Sequence, residues 1–417
     1  MTPLNQAMPR VARYTWRLHW PAALLIGAGY GVIGLSAFVF KRSLGAPAHW
    51  VPALIAIWQA TWILTPFVGG WMERADPQRL WRWIGIASGL PLVLVAFVDV
   101  EPVVGGGNGA GTGNLWLFVA LLGLHYLVGV FYIPHRGALM RTNYPLTVRG
   151  RMYGLRESLA IVGIIIMARV AQHLLDQDPR WLRVLFPVAG LLFGGGVFLK
   201  GRIRWQKQRR RRRAEHRRGG IREALRDRRF LVYEGAFMLY GFGFLMAFPL
   251  LVLFMESELR LGYNEYTWAQ SVAMPLTQLS AMYLWGRLAD RVGVVRMVAS
   301  AFLLLVVFLV VIPSVTGLSS LIAAYALFGA AMAGVMIGWS LGPLHFAPDG
   351  RGHAYTAVHF SFVGIRSVIA PFLGYGVKVW TGSYAAGFYA AAGSMLLGAI
   401  TMAYLARMES AVAVEAA

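Results

Sequence analysis

Residues Gly286 to Met297 read GRLADRVGVVRM, a charged knot between two apolar runs that hold no charge at all, Ala269 to Trp285 and Met297 to Val315. Arg287, Asp290, Arg291 and Arg296 crowd together behind a leading glycine. Each flanking run is close to the roughly 20 residues an α-helix needs to cross a bilayer. The knot therefore reads as a short loop at a membrane surface, and the rest of the chain tests that reading.

The 417 residues are 58% hydrophobic and only 14% charged, with a mean hydropathy of +0.57. Soluble domains carry nearer 25% charged residues, so the composition is that of an integral membrane protein. Apolar runs recur about twelve times. The first six cover residues 21–40, 51–71, 83–100, 115–136, 155–175 and 184–199. The second six cover 230–254, 269–285, 297–315, 320–344, 357–377 and 385–405. Segments such as LLLVVFLVV suit strands by propensity, but their length and the need to satisfy backbone hydrogen bonds inside lipid favour helices. The expected fold class is all-α, with about twelve transmembrane helices.

The basic N-terminal stretch MTPLNQAMPRVARYTWRLHW runs directly into the first span without a cleavage pattern, so that span is expected to be retained. There is no cysteine, which removes disulfides and thiolate metal sites. Trp20, Trp50, Trp81, Trp83, Trp181 and Trp380 fall near span ends, as interfacial aromatic belts do.

Basic residues sort by loop. One set of loops holds Arg10, Arg13, Arg17, Arg74, Arg79, Arg82, Arg141, Arg149, Arg151, Arg156, Arg287, Arg291, Arg296, Arg351, Arg407 and the central cluster. The other holds Lys41, Arg42, Arg180, Arg183, Arg260 and Lys378. The positive-inside rule then places both termini in the cytoplasm of a plasma (inner) membrane protein. The segment KGRIRWQKQRRRRRAEHRRGGIREALRDRR, Lys200 to Arg229, carries most of the formal charge of +21. It divides the chain into a six-helix bundle over 1–200, a basic cytoplasmic linker over 201–229 and a second bundle over 230–417. No folded nucleic-acid module accompanies it, so anionic lipid head groups are the expected partner and nucleic acid is disfavoured. A short surface helix is expected over 221–229.

The knot has a partner in the first half. GGWMER, Gly69 to Arg74, aligns with GRLADR, Gly286 to Arg291, placing Glu73 on Asp290 and Arg74 on Arg291. RGRMY, Arg149 to Tyr153, likewise matches RGHAY, Arg351 to Tyr355. Six-span repeats about a basic linker mark many transporters. The knot resembles the loop motif of the major facilitator superfamily: glycine, a small or apolar stretch, Asp-Arg, then glycine and further basic residues. The first-half copy departs from it, with Glu73 for Asp and no glycine after Arg74.

That resemblance implies two pseudo-repeat bundles rocking in alternating access, a monomer, and secondary transport without cofactor, metal or enzymatic activity. It also implies a cytoplasmic gate built from Gly69, Glu73, Arg74, Gly286, Asp290, Arg291 and Arg296, with Arg149 and Arg351 at the second pair of loops. Glycine would let a helix end approach its neighbour, and the carboxylate would cap a facing helix while pairing with arginines. Ordinary positive-inside loop charges are the alternative.

Ionisable residues within spans are costly and mark functional sites by default. Arg366 lies about ten residues into the eleventh span, and His359 lies two turns earlier on the same face. This pair is the leading candidate for a substrate site; Arg366 bonded to carbonyls of a neighbouring helix is the structural alternative. His125, with Gly129 four residues on, has the spacing of the arginine and glycine that many proton-coupled relatives carry in the fourth span, and is a candidate for substrate binding or proton coupling, with plain packing as the alternative. Glu234 is the clearest acid inside a span, suited to proton coupling or to a gate salt bridge. Glu157, which aligns with His359 in the repeat, is a further coupling candidate. Tyr30, Gln59, Tyr126, Tyr240, Gln278 and Trp339 are polar or amphipathic residues able to line a cavity. Arg169 and His345 lie near span ends, where they could snorkel.

The preponderance of Arg and His favours a carboxylate- or phosphate-bearing solute, with a co-transported proton as a candidate coupling ion. The fifth span lacks the Gly-Pro pattern of drug antiporters, which weakens an efflux reading for drug-like or lipid-like compounds without removing it. GGGNGAGTGN, Gly105 to Asn114, lacks phosphate-loop spacing, and no HExxH motif occurs. The rival class is a non-transporting membrane assembly or interaction protein that docks partners or lipid through its Arg-rich linker.

Overall fold

The computed structural model describes residues 10–65, 67–68, 75–100, 112–131, 139–140, 143–204, 220–348 and 351–415. Among these residues all regular structure is helical. Among the described residues nine helices are long and apolar enough to cross a membrane: Arg10–Arg42, Pro77–Phe97, Arg151–Gln177, Pro179–Lys200, Arg228–Glu258, Val294–Ser314, Leu318–Phe346, Ala354–Thr381 and Tyr384–Glu409. Two shorter apolar helices, Ala48–Leu64 and Gly113–Gly129, fall in the second and fourth expected spans. The chain is a multi-pass membrane protein. Prolines 21, 91, 187, 249, 343 and 371 all sit inside helices. Neighbouring helices tolerate such breaks within a membrane by re-satisfying the freed carbonyls.

The helices used below are α1 (Arg10–Ile33), α2 (Ser36–Arg42), α3 (Val51–Ala60), α4 (Pro77–Leu94), α5 (Thr112–Gly129), α6 (Leu146–Gln177), α7 (Leu182–Lys200), α8 (Gly220–Ala224), α9 (Arg228–Leu253), α10 (Tyr263–Thr267), α11 (Met274–Val292), α12 (Val294–Val311), α13 (Leu318–Phe346), α14 (Gly352–Thr381) and α15 (Tyr384–Glu415). They form two compact units. One comprises residues 1–48, 64–210 and 262–267; the other comprises 49–63, 211–261 and 268–417.

In the first unit α1 packs on α6 and α7, and α4 packs on α5 and α7. Glycine makes the α4–α7 seam. A Cβ on Gly89 would stand 2.6 Å from the carbonyl oxygen of Gly190 and one on Gly190 2.6 Å from that of Gly89; Gly85 and Gly194 oppose each other in the same way at 2.6 and 2.5 Å. No larger residue fits where two backbones meet at that spacing. In the second unit α9 packs on α14 and α15, α13 packs on α11 and α12, and α3 lies along α14.

Helix ends follow local chemistry. Asp76 caps α4 by accepting from the Gln78 backbone N–H at 2.9 Å, with Pro77 at the first helical position. Asp227 caps α9, accepting from the Arg229 and Phe230 N–H groups at 3.0 and 3.1 Å. This cap divides the segment expected to be one surface helix over 221–229: α8 ends at Ala224, and helix resumes at Arg228 as part of the next span. Gly293, the glycine that follows Asp-Arg in the opening motif, has φ 85° and ψ 156° and joins α11 to α12 directly. That backbone region is essentially closed to other residues.

Candidate substrate and coupling site

The second unit gathers the charged residues that the sequence singled out on different spans. His359 and Arg366 share the face of α14 that meets α9. Glu234 and Phe237, one turn apart on α9, receive them. The His359 ring is fully buried, and its Nδ1 lies 2.9 and 3.0 Å from the two Glu234 carboxylate oxygens. Glu234 is itself only 2% exposed. Pairing within helices 125 residues apart in sequence is why Glu234 tolerates a position inside an apolar span.

Arg366, 1% exposed, donates from one terminal nitrogen to the Phe237 carbonyl at 2.5 Å and lies over the Tyr240 ring, 5.7 Å from its centroid. Glycine at 241 makes room for the guanidinium: a Cβ there would fall on it. The carbonyl bond is the structural alternative raised by the sequence, and it uses one nitrogen only. Among the described residues Arg366 Nε and His359 Nε2 are buried without a hydrogen-bond partner. Leaving a buried polar atom unmatched costs about 1–3 kcal/mol, which makes both atoms candidates for ligand contact.

Aromatic rings surround this group. Phe237 stands edge-on to His359 at 5.1 Å and Trp339 does so at 5.9 Å. Trp339 stacks on Phe360 at 6.2 Å, and Trp62 meets both, at 5.8 and 5.5 Å. The Trp339 indole N–H is also buried and unmatched among the described residues. Tyr240 stacks on Phe302 at 4.3 Å. Gln59 is buried on α3, beside α14 and α9, with its carbonyl oxygen unmatched. Gln278 is half-buried on α11. Trp62 and Phe360 were missed at the level of sequence, since aromatic residues in an apolar run carry no distinguishing pattern.

The other named residues take different partners. In the first unit His125 is buried on α5 with Nδ1 2.8 Å from the Ser88 carbonyl, and its ring packs edge-on against Phe193 and Tyr126. Tyr30 is 40% exposed and meets Phe193 edge-on at 5.1 Å. Glu157 pairs with its neighbour Arg156, whose guanidinium also lies 5.3 Å from the Tyr153 ring centroid. Arg169 bonds Asn264 at 2.9 Å, and His345 pairs with Glu409 at 3.0 Å.

Of the expected gate, Gly69, Glu73 and Arg74 lie outside the described residues, as does the Arg149 side chain. Asp290, Arg291 and Arg296 are exposed at the α11–α12 turn, and Asp290 forms no ion pair among the described residues. Nothing described lies within 4 Å of a Cβ placed on Gly286. Arg351 pairs with Glu223 of α8, and Tyr355 donates to Asp227 at 3.1 Å. The end of the linker is thereby fastened to the start of α14.

Residues 235–416 match the family model of the Major Facilitator Superfamily. No curated protein matches the chain in sequence. In structure the chain is similar to the crystal structure of nucleoside transporter NupG (D323A mutant), with a TM-score of 0.67 and 11% identity, over 95% of this chain and 100% of that one. At that identity the likeness speaks for the fold. The resemblance first carried by the knot at 286–297 is thus borne out, by a match to the Major Facilitator Superfamily model over residues 235–416 and by similarity of fold over nearly the whole chain.

Proposed function

We propose that the chain is a secondary transporter that carries a small anionic solute together with a proton, by alternating access of two six-helix bundles over 1–200 and 230–417. The two shorter apolar helices and the helical stretch 268–292 complete twelve spans, and both termini lie in the cytoplasm of the plasma membrane. The carrying observation is the buried trio Arg366, His359 and Glu234. With His359 neutral, the Arg366 and Glu234 charges cancel. An entering anion would leave one net negative charge where low dielectric makes it costly. One proton taken up by the His359–Glu234 pair restores neutrality, so solute and proton enter together. Arg366 Nε supplies a charge-assisted donor to the anionic group. The arginine-rich linker lies along anionic head groups, and the 69–74 and 286–296 loops latch the cytoplasmic side when it is closed.

The test is uptake into proteoliposomes under an imposed pH gradient, scanning carboxylates and phosphates. Wild type should accumulate one of them when the source compartment is acidic. Arg366→Gln should lose uptake, while Glu234→Gln should keep solute exchange and lose gradient-driven accumulation. Accumulation indifferent to the gradient, or intact in Arg366→Gln, would overturn the proposal.

A further inference from the structure

The trio accounts for charge, yet the half-exposed rings beside it are left without a task. Trp62, Trp339 and Phe360 come from three separate helical segments, the 61–64 turn after α3, α13 and α14, and meet one another at 5.5 to 6.2 Å. A lipid-facing patch would have no use for polar atoms. Here the Trp339 indole N–H and His359 Nε2 are both buried and unmatched among the described residues, with the two rings 5.9 Å apart and edge to face. Trp58 extends the wall, 6.4 Å from Trp62 and 6.0 Å from Phe248. The backbone is drawn in tightly at this point, since a Cβ on Gly364 would stand 2.5 Å from the Ile63 nitrogen.

We infer that this wall is a ring-binding subsite, and that the transported solute carries a flat heteroaromatic ring bearing hydrogen-bond acceptors. The ring packs against the half-buried rings of Trp62 and Phe360, where π-faces favour offset or edge contacts with another ring. An acceptor on its edge takes the Trp339 N–H. A second acceptor takes His359 Nε2–H once the His359–Glu234 pair has gained its proton, because the unprotonated pair leaves a lone pair on that atom. Recognition of the ring edge is thereby tied to the proton. A purely aliphatic acid satisfies Arg366 but leaves the indole N–H buried and unmatched, and sites built to bond a particular group discriminate strongly against solutes that lack it. The inference rests on the transport reading above and narrows its substrate to one class.

The test is ligand-induced quenching of tryptophan fluorescence in the purified full-length protein, with uracil and nicotinate as ring probes and succinate and inorganic phosphate as non-ring probes. At least one ring probe should bind more tightly than either non-ring probe. Trp339→Phe, which keeps the ring and removes the N–H, should weaken that binding about tenfold. Trp62→Leu should weaken it by a similar factor and leave phosphate binding unchanged. Thermal unfolding of each variant checks that it is folded, and melting-temperature shifts replace fluorescence where the deleted tryptophan is the reporter. Tighter binding of the non-ring probes, equal ring binding in wild type and Trp339→Phe, or no binding of either ring probe at millimolar concentration overturns the subsite. Gradient-driven uptake of succinate or phosphate in that case would leave the transport reading standing; absence of any coupled uptake would remove both.

Discussion

Gly241→Ala isolates the placement of Arg366. The new methyl group would coincide with the guanidinium, whose atoms are the three nearest to that point. Forcing a methyl group into a packed site costs about 1–3 kcal/mol, and driving the guanidinium off the Phe237 carbonyl forfeits a charge-assisted hydrogen bond of about 1.5–3 kcal/mol. When both costs apply, the expected destabilisation is therefore roughly 2.5–6 kcal/mol. The assay is reversible denaturant unfolding in detergent of four proteins: wild type, Gly241→Ala, Arg366→Leu and the double variant. With Arg366 removed, the methyl group has little to strike, so Gly241→Ala should cost less than about 1 kcal/mol in that background, an interaction energy above the limit for independent sites. Transport should fall in Gly241→Ala although every ionisable group is retained. Equal costs in both backgrounds would show that the guanidinium does not occupy the space over Gly241, and the assignment of Arg366 to that pocket would fall with it.

Gly293→Ala should destabilise the α11–α12 junction by about 1–3 kcal/mol, because φ 85° with ψ 156° is strained for any residue with a Cβ; thermal unfolding reads this directly, and an unchanged melting temperature would argue against a tight turn. Asp227→Ala should cost about 0.5–2 kcal/mol through loss of the α9 cap, together with its bond from Tyr355, and should raise proteolytic cleavage near residues 220–227. Ser88 offers His125 a backbone carbonyl at 2.8 Å, so His125→Asn should lower stability and leave the pH dependence of uptake where it is in wild type. A shifted pH profile in His125→Asn would instead place that residue in proton coupling.

Much of the fold was legible because bilayer physics leaves few choices for long apolar runs. The knot at 286–297 exposed a loop, and Gly293 shows why its second glycine is there. The leading glycine is different: nothing described presses on Gly286, and the partner loop it was matched to lies outside the described residues. Arg366 and His359 stood out as charges inside spans, and both prove buried on one face of α14. Their partners did not stand out. Phe237 acts through a backbone carbonyl, which no side-chain pattern announces, and Glu234 meets His359 across 125 residues. Trp62 and Phe360 were hidden for another reason, since membrane spans are rich in aromatic residues for packing alone. The second apolar run also breaks into a short helix and a 3-10 turn over Thr61–Leu64, and Trp62, which meets Trp339, lies in that turn.

The α4–α7 seam has a thermodynamic side that its geometry implies. Where Gly85, Gly89, Gly190 and Gly194 bring backbone against backbone, no rotamers are frozen as the helices meet, so association forgoes the side-chain entropy cost of up to about 2 kcal/mol per long residue. Dispersion and weak Cα–H to carbonyl contacts then suffice to hold the pair. Such a seam also has no alternative rotamer into which it could relax. Deformation must open the backbones or leave them untouched, which suits helices that move together as one body while the side chains around the solute rearrange.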